Sequence, residues 1–160
     1  MKRRLLSLLP LFALLAGCAS QPPAGPKSVA ETIAQDPQLS TLNGLVQQAG
    51  LVDTLKAAGP YTLFAPTNEA FKAVPAKTLD DLGRDPAVLK NVLSFHVLPA
   101  KLTAAEAKPG SVKTAQGANI ALARAGDFLT VEDAMVQQAD ITASNGVIHK
   151  VDRVLMPPRR

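Results

Sequence analysis

The chain has 160 residues, 47% apolar and 19% charged, enough for one domain with a real core and too apolar for bulk disorder. Its formal charge of +4 includes Lys2, Arg3 and Arg4; without them 14 basic residues face 13 acidic ones, which removes the compositional case for nucleic-acid binding. Cys18 is the only cysteine, so no intramolecular disulfide can form and the fold must rest on its core.

Lys2-Arg3-Arg4 is a positive leader, followed by an apolar run over residues 5–15 that is too short to cross a bilayer, which takes ~20 residues. Leu15-Ala16-Gly17-Cys18 then resembles the lipobox of bacterial lipoproteins. The resemblance implies a signal peptide over residues 1–17, cleavage before Cys18, and acylation of its thiol. Several acyl chains would hold the protein stably on a membrane. Ala19 follows the cysteine where inner-membrane retention usually uses Asp, so the outer membrane is the expected destination if the organism has one. Residues 18–27, rich in Pro, Gly and small polar residues, read as the lipidated terminus and a flexible tether. The folded domain is expected over residues 28–158.

Ser28-Val-Ala-Glu31 fits a capping box and opens a short helix. Asp36-Pro37 opens a second, with Leu39, Leu42, Leu45, Val46 and Ala49 on one face and Gly50 to close it. A further short helix is expected over residues 51–58, ended by Gly59-Pro60. Residues 61–65 read as a buried strand that Pro66 ends. Thr67 or Asn68 caps a helix through Ala73, and another helix is expected near residues 78–82. Asp85-Pro86 starts a helix whose buried side is Val88, Leu89, Val92, Leu93 and Phe95. A capping box at Thr103 and Glu106 predicts one more. Beyond Pro109-Gly110 the texture becomes β-rich, with strands expected over residues 112–114, 119–124, 128–132, 139–143 and 147–155. Gly117, Ala125-Gly126 and Asn145-Gly146 supply the turns, the last a strong hairpin signal. Helices first and strands after predict an α+β fold.

Two segments go beyond this pattern. Tyr61-Thr-Leu-Phe-Ala-Pro-Thr-Asn-Glu-Ala-Phe71 resembles the first signature of fasciclin-like domains, and Asp140-Ile-Thr-Ala-Ser-Asn-Gly-Val-Ile-His-Lys-Val-Asp-Arg-Val-Leu-Met-Pro157 the second. Phe95-His96-Val97-Leu98-Pro99 between them is similar to the family's central Tyr-His segment, with Phe in place of Tyr. The resemblance covers roughly residues 28–158. It implies a compact wedge of β-strands with a cluster of short helices, in proteins that are mostly extracellular and often adhesive. It assigns Thr67, Asn68, His96, Asn145, Gly146 and His149 to holding the fold. His96 is implied to hydrogen-bond in a buried polar network joining the two signatures, part of which Phe95 leaves unfilled.

His96 and His149 are the only histidines, and no pair lies at helical ligand spacing, so one structural and one partly exposed strand histidine are expected rather than a metal site. Asp80, Asp81, Asp85, Asp127, Glu132 and Asp133 lack the alternation of a calcium loop. Ser94, Ser111 and Ser144 lack a nucleophile elbow, and no phosphate-binding glycine loop is present. No cofactor or catalytic residue is assigned. The expected function is a lipid-anchored, non-enzymatic envelope or surface module that binds protein or matrix partners, with no nucleic acid. The alternative is a periplasm-facing lipoprotein that binds a small ligand or another envelope protein.

Overall fold

The computed structural model describes residues 27–158. Cys18 and the expected signal peptide over residues 1–17 lie outside them.

Short helices cluster in the first half. Helix α1 (Val29–Gln35) starts on the expected capping box: Ser28 Oγ accepts from the Glu31 N–H, and a Glu31 carboxylate oxygen accepts from the Ser28 N–H at 2.8 Å. Asp36 caps not one long helix but a single 3₁₀ turn, Pro37–Leu39, before α2 (Ser40–Gln48) begins. Helices α3 (Val52–Lys56), α4 (Asn68–Lys72) and α5 (Ala76–Arg84) follow. Helix α6 (Pro86–Phe95) is capped by Asp85, whose side chain accepts from the N–H groups of Ala87 and Val88. Val88 does not belong to its buried side: it is 43% exposed, while Leu89, Val92, Leu93 and Phe95 are buried. No helix among the described residues is long and apolar enough to cross a membrane.

Seven strands form one sheet in the order β2-β1-β7-β6-β5-β4-β3. They are β1 (Tyr61–Pro66), β2 (Val97–Leu98), β3 (Gly110–Lys113), β4 (Asn119–Ala125), β5 (Phe128–Val131), β6 (Ala134–Ala143) and β7 (Gly146–Val151). The pair β1–β7 is parallel and every other neighbour pair is antiparallel. The sheet curls until its edges approach: the Ala115 N–H, just past β3, donates to the Val97 carbonyl of β2 at 2.7 Å. The result is an α+β near-barrel with helices on one side.

The core has two parts. Leu63, Ala65 and Ile148 face the helices, together with Ile33, Leu42, Leu55, Leu89 and Leu93. Phe64 and Val151 face the inside of the curl, with Phe95, Ile120, Leu122, Val131 and Leu155. Because successive strand side chains point to opposite faces, β1 and β7 must be apolar on both, and a continuous run such as Leu63-Phe64-Ala65 results.

Several boundaries depart from the sequence reading. Thr103 and Glu106 make their capping-box bonds, but only one turn forms before Lys108-Pro109, so the predicted helix is absent. The final strand ends at Val151, not Leu155: Asp152 turns away and its side chain accepts from the Met135 N–H at 2.7 Å. Strand β6 starts five residues before the expected Ala139, because Glu132-Asp133 forms an unforeseen hairpin turn with Glu132 at φ 54°. A bulge then interrupts its pairing with β7 near Asp140, at φ 57°.

The Asn145-Gly146 hairpin exists but is shifted. Its turn is Ser144-Asn145, and Gly146 is already the first residue of β7, paired with Ala143 in β6 and Tyr61 in β1. Gly146 is there for space rather than for a left-handed φ: a Cβ would lie 2.2 Å from the Tyr61 carbonyl oxygen. That neighbour is backbone inside the sheet and cannot move alone. Gly146→Ala is therefore expected to cost at least ~3 kcal/mol, lowering the melting temperature by roughly 10 °C or preventing folding, as read by circular-dichroism melting.

Candidate functional site

Asn145 is the most connected side chain of the second signature. Its Oδ1 accepts from the Val29 N–H at 2.8 Å, and its Nδ2 donates to the carbonyls of Leu55 (2.7 Å) and Ala57 (2.9 Å). Its own carbonyl accepts from the Tyr61 N–H at 3.1 Å. Val29 is the first residue of α1, and Leu55 and Ala57 are at the C-terminal end of α3, so these are helix-end groups with no intrahelical partner. One amide thus caps two helices and fastens both to the sheet.

Thr67 and Asn68 divide the work differently from the sequence expectation. Thr67 is the N-cap of α4, its Oγ1 accepting from the Ala70 N–H at 3.4 Å. Asn68 does not cap that helix. Its Oδ1 accepts from the Thr41 N–H at 3.0 Å, and its Nδ2 donates to the Pro37 carbonyl at 2.9 Å. Helix α2 follows Leu39, which offers no side-chain cap, and Asn68 supplies one from across the fold.

His96 is fully buried at the end of α6. The Leu155 N–H donates to its Nε2 at 3.0 Å, so the ring proton sits on Nδ1 and is donated to the Val92 carbonyl at 2.8 Å. The His96 carbonyl accepts from the Phe64 N–H at 2.9 Å. The residue therefore links α6, β1 and the segment after β7. Phe95 sits beside it in the inner apolar cluster, and no buried side-chain polar atom among the described residues lacks a partner. Burial pushes the His96 pKa down to about 4, against the pull of the Val92 carbonyl.

His149 is not partly exposed, as a strand histidine was expected to be; it too is fully buried. Position 149 shares the inner face of β7 with Val151, and the ring stacks on Phe64 with centroids 5.6 Å apart. Its tautomer is the opposite one: the Asp140 N–H donates to Nδ1 at 3.2 Å, and Nε2–H donates to the Leu102 carbonyl at 2.7 Å. Burial lowers its pKa, with the Leu102 carbonyl and the Asp140 charge opposing. Buried Thr62 holds the same connection from below, donating to the Ala100 carbonyl at 2.6 Å and accepting from the Leu102 N–H at 2.8 Å.

Sequence reasoning passed over Lys150 and gave Asp36 only a capping role. Lys150 occupies the helix-facing side of β7, is buried, and pairs with Asp36 at 2.5 Å while donating to Gln38 Oε1 at 3.0 Å. Only the period of the strand, which puts Lys150 on the Ile148 face, could have pointed to it. Surface grooves of about 250–430 Å³ lie elsewhere. One is lined by Ala30, Ile33, Val46 and Val52. Another lies beside Val74, Arg153 and Met156. Thr67 and Asn68 border a third of about 260 Å³. No group of three potential metal-ligating side chains converges among the described residues.

The family model described as the fasciclin domain matches residues 37–157, which is most of the chain. The chain belongs to the fasciclin domain family. A relative from Synechocystis, "Protein sll1483", is 41% identical over 133 residues, covering 82% of this chain and 74% of its own. The "Cell surface glycolipoprotein MPB83" of Mycobacterium bovis is 38% identical over 159 residues, covering 89% of this chain and 71% of its own. A solved FAS1 domain pair from the insect cell adhesion molecule fasciclin I superposes with a TM-score of 0.67 at 16% identity, over 82% of this chain and 51% of that one. This fasciclin domain therefore shares the FAS1 fold, and one of its relatives is by name a cell surface protein.

With two buried histidines whose pKa values are lowered, this fasciclin domain is expected to lose stability in acid. Each titrates near 6.5 in the unfolded chain and lower in the fold, so the unfolded state takes up protons first as pH falls. Stability present above pH ~6.5 is lost on the way down towards 4, with about 3 kcal/mol from His96 alone. Glu31 and Glu106, whose pKa values are lowered by their capping bonds to Ser28 and Thr103, begin to add to the loss as pH falls through about 4.5. Urea midpoints between pH 7 and 5 are expected to fall steadily for the native protein. His96→Ala is expected to melt lower at pH 7 and to show a shallower slope.

Proposed function

We propose that this protein is a lipid-anchored, non-enzymatic fasciclin module of the cell envelope or surface that binds protein or matrix partners in an adhesive role. The observation that carries this reading is how the signature side chains are spent. Asn145, His96 and His149 direct their polar atoms at backbone groups, tying elements together. A base or nucleophile needs a lone pair or proton aimed at a substrate, and these have theirs aimed at the main chain. Recognition then falls to the exposed surface around this frame. The mycobacterial relative is by name a cell surface glycolipoprotein, which supports a surface setting. The insect protein that shares the fold is a cell adhesion molecule, which supports an adhesive one. The lipobox ending at Cys18 supports attachment by acyl chains, with the outer membrane as destination in a double-membraned cell.

Two measurements test this. Cys18→Ser is expected to move the protein from the membrane fraction to the soluble one; retention in the membrane would sink the lipid anchor. Protease added to intact cells is expected to degrade the protein. Protection until the cells are permeabilised would turn the reading towards a periplasm-facing lipoprotein with an envelope partner or a small ligand.

A further inference from the structure

The chain holds two Asn-Gly dipeptides, Asn43-Gly44 and Asn145-Gly146. This dipeptide has a chemistry of its own, because glycine puts no Cβ in the way of the asparagine side chain. The glycine backbone nitrogen, once deprotonated, adds to the asparagine Cγ; the Cγ–Nδ2 bond breaks and ammonia leaves. Water then opens the five-membered succinimide at either carbonyl. The product is aspartate, or isoaspartate in which the main chain runs through the former side chain. One water is consumed, one ammonia is released, and nothing is oxidised or reduced.

We propose that Asn145-Gly146 is a latent deamidation site that the fold shuts, that unfolding opens, and whose reaction prevents the domain from folding again. Attack requires Cγ to swing over the Gly146 nitrogen. In the fold the amide is held by Val29 on one side and by Leu55 and Ala57 on the other, all of them backbone groups. The Gly146 backbone is itself fixed in the sheet, paired with Tyr61 of β1 and Ala143 of β6 and close against the Tyr61 carbonyl. Asn43 is held far less. It is half-buried on α2, its amide makes one side-chain bond, from Gln47 Nε2 at 3.3 Å, and nothing lies within 4 Å of a Cβ built on Gly44. Opening one short helix frees Asn43, whereas freeing Asn145 takes the loss of α1, α3 and the β1–β7 pair together.

The products do not fit the junction. Aspartate can still accept from Val29, but its second oxygen would face the carbonyls of Leu55 and Ala57 with no proton to share. Isoaspartate adds a main-chain carbon immediately before β7, whose six residues are all buried and in register with β1. A chain that reacts while unfolded therefore loses the site that joins helices to sheet.

The test uses the full-length chain carrying Asn43→Gln, so that Asn145-Gly146 is the one Asn-Gly dipeptide left. It is incubated in mildly alkaline buffer with and without denaturing urea and followed by peptide mass mapping. Acid at Asn145 is expected to accumulate at least about a thousandfold more slowly in buffer, matching the small unfolded population. On removal of urea, unreacted chains are expected to refold and reacted ones to stay protease-sensitive. In the unsubstituted chain under native conditions, Asn43 is expected to react before Asn145. Comparable rates at Asn145 with and without urea would overturn the shut site. Reacted chains, or Asn145→Asp, that refold with an unchanged melting temperature would overturn the barrier to refolding.

Discussion

Short helices are not stable by themselves in water, because each leaves several end groups of its backbone unsatisfied and has few turns over which to recover the cost of nucleation. Six of the helices here have between five and ten residues. The fold answers this constraint with side chains reaching in from other elements. Asn145 supplies α1 with an acceptor and α3 with donors. Asn68 supplies α2 with an acceptor and holds the turn before it. Both signatures of the family therefore contain an asparagine that caps helices distant in sequence, and the helical layer depends on the sheet for its ends as well as for its apolar face.

The two histidines apply the same logic inside the core. Each is buried, neutral and bonded at both ring nitrogens, one with its proton on Nδ1 and the other with its proton on Nε2. A side chain with one donor and one acceptor can join a backbone carbonyl to a backbone N–H that are too far apart to meet directly. His96 does so between α6 and the residues after β7; His149 does so between the bulge of β6 and the loop at Leu102. The charged form would break one bond in each case, since a proton would face an N–H. Structural integrity and acid sensitivity come from the same contacts.

Legibility in the sequence followed how local each signal was. The capping box at Ser28 and Glu31 and the Asp85-Pro86 start were readable because their partners lie within four residues. The fold class and family were readable from the order of elements and from three ordered motifs. The hairpin turn at Glu132-Asp133 was missed because it contains no glycine or proline, and its left-handed residue is tolerated only because strands on either side hold it. Val88 was placed on the buried face because helical period alone cannot say how wide a stripe the neighbours cover. His149 was expected to be partly exposed because strands of an antiparallel sheet commonly show one face to water; here β7 is central in a curled sheet with helices on one side and an inner cluster on the other.

By itself the sequence determined most of the succession of helices and strands and membership of a family, since these rest on short-range spacing and the identity of contiguous residues. Tertiary structure alone decided what the marked residues do. Asn68 caps a helix 27 residues upstream, Asn145 one 116 residues upstream, and Lys150 pairs with Asp36 across a similar separation. A hydrogen bond or ion pair depends on distance in space, and chain closure over such loops leaves no periodic trace in the sequence.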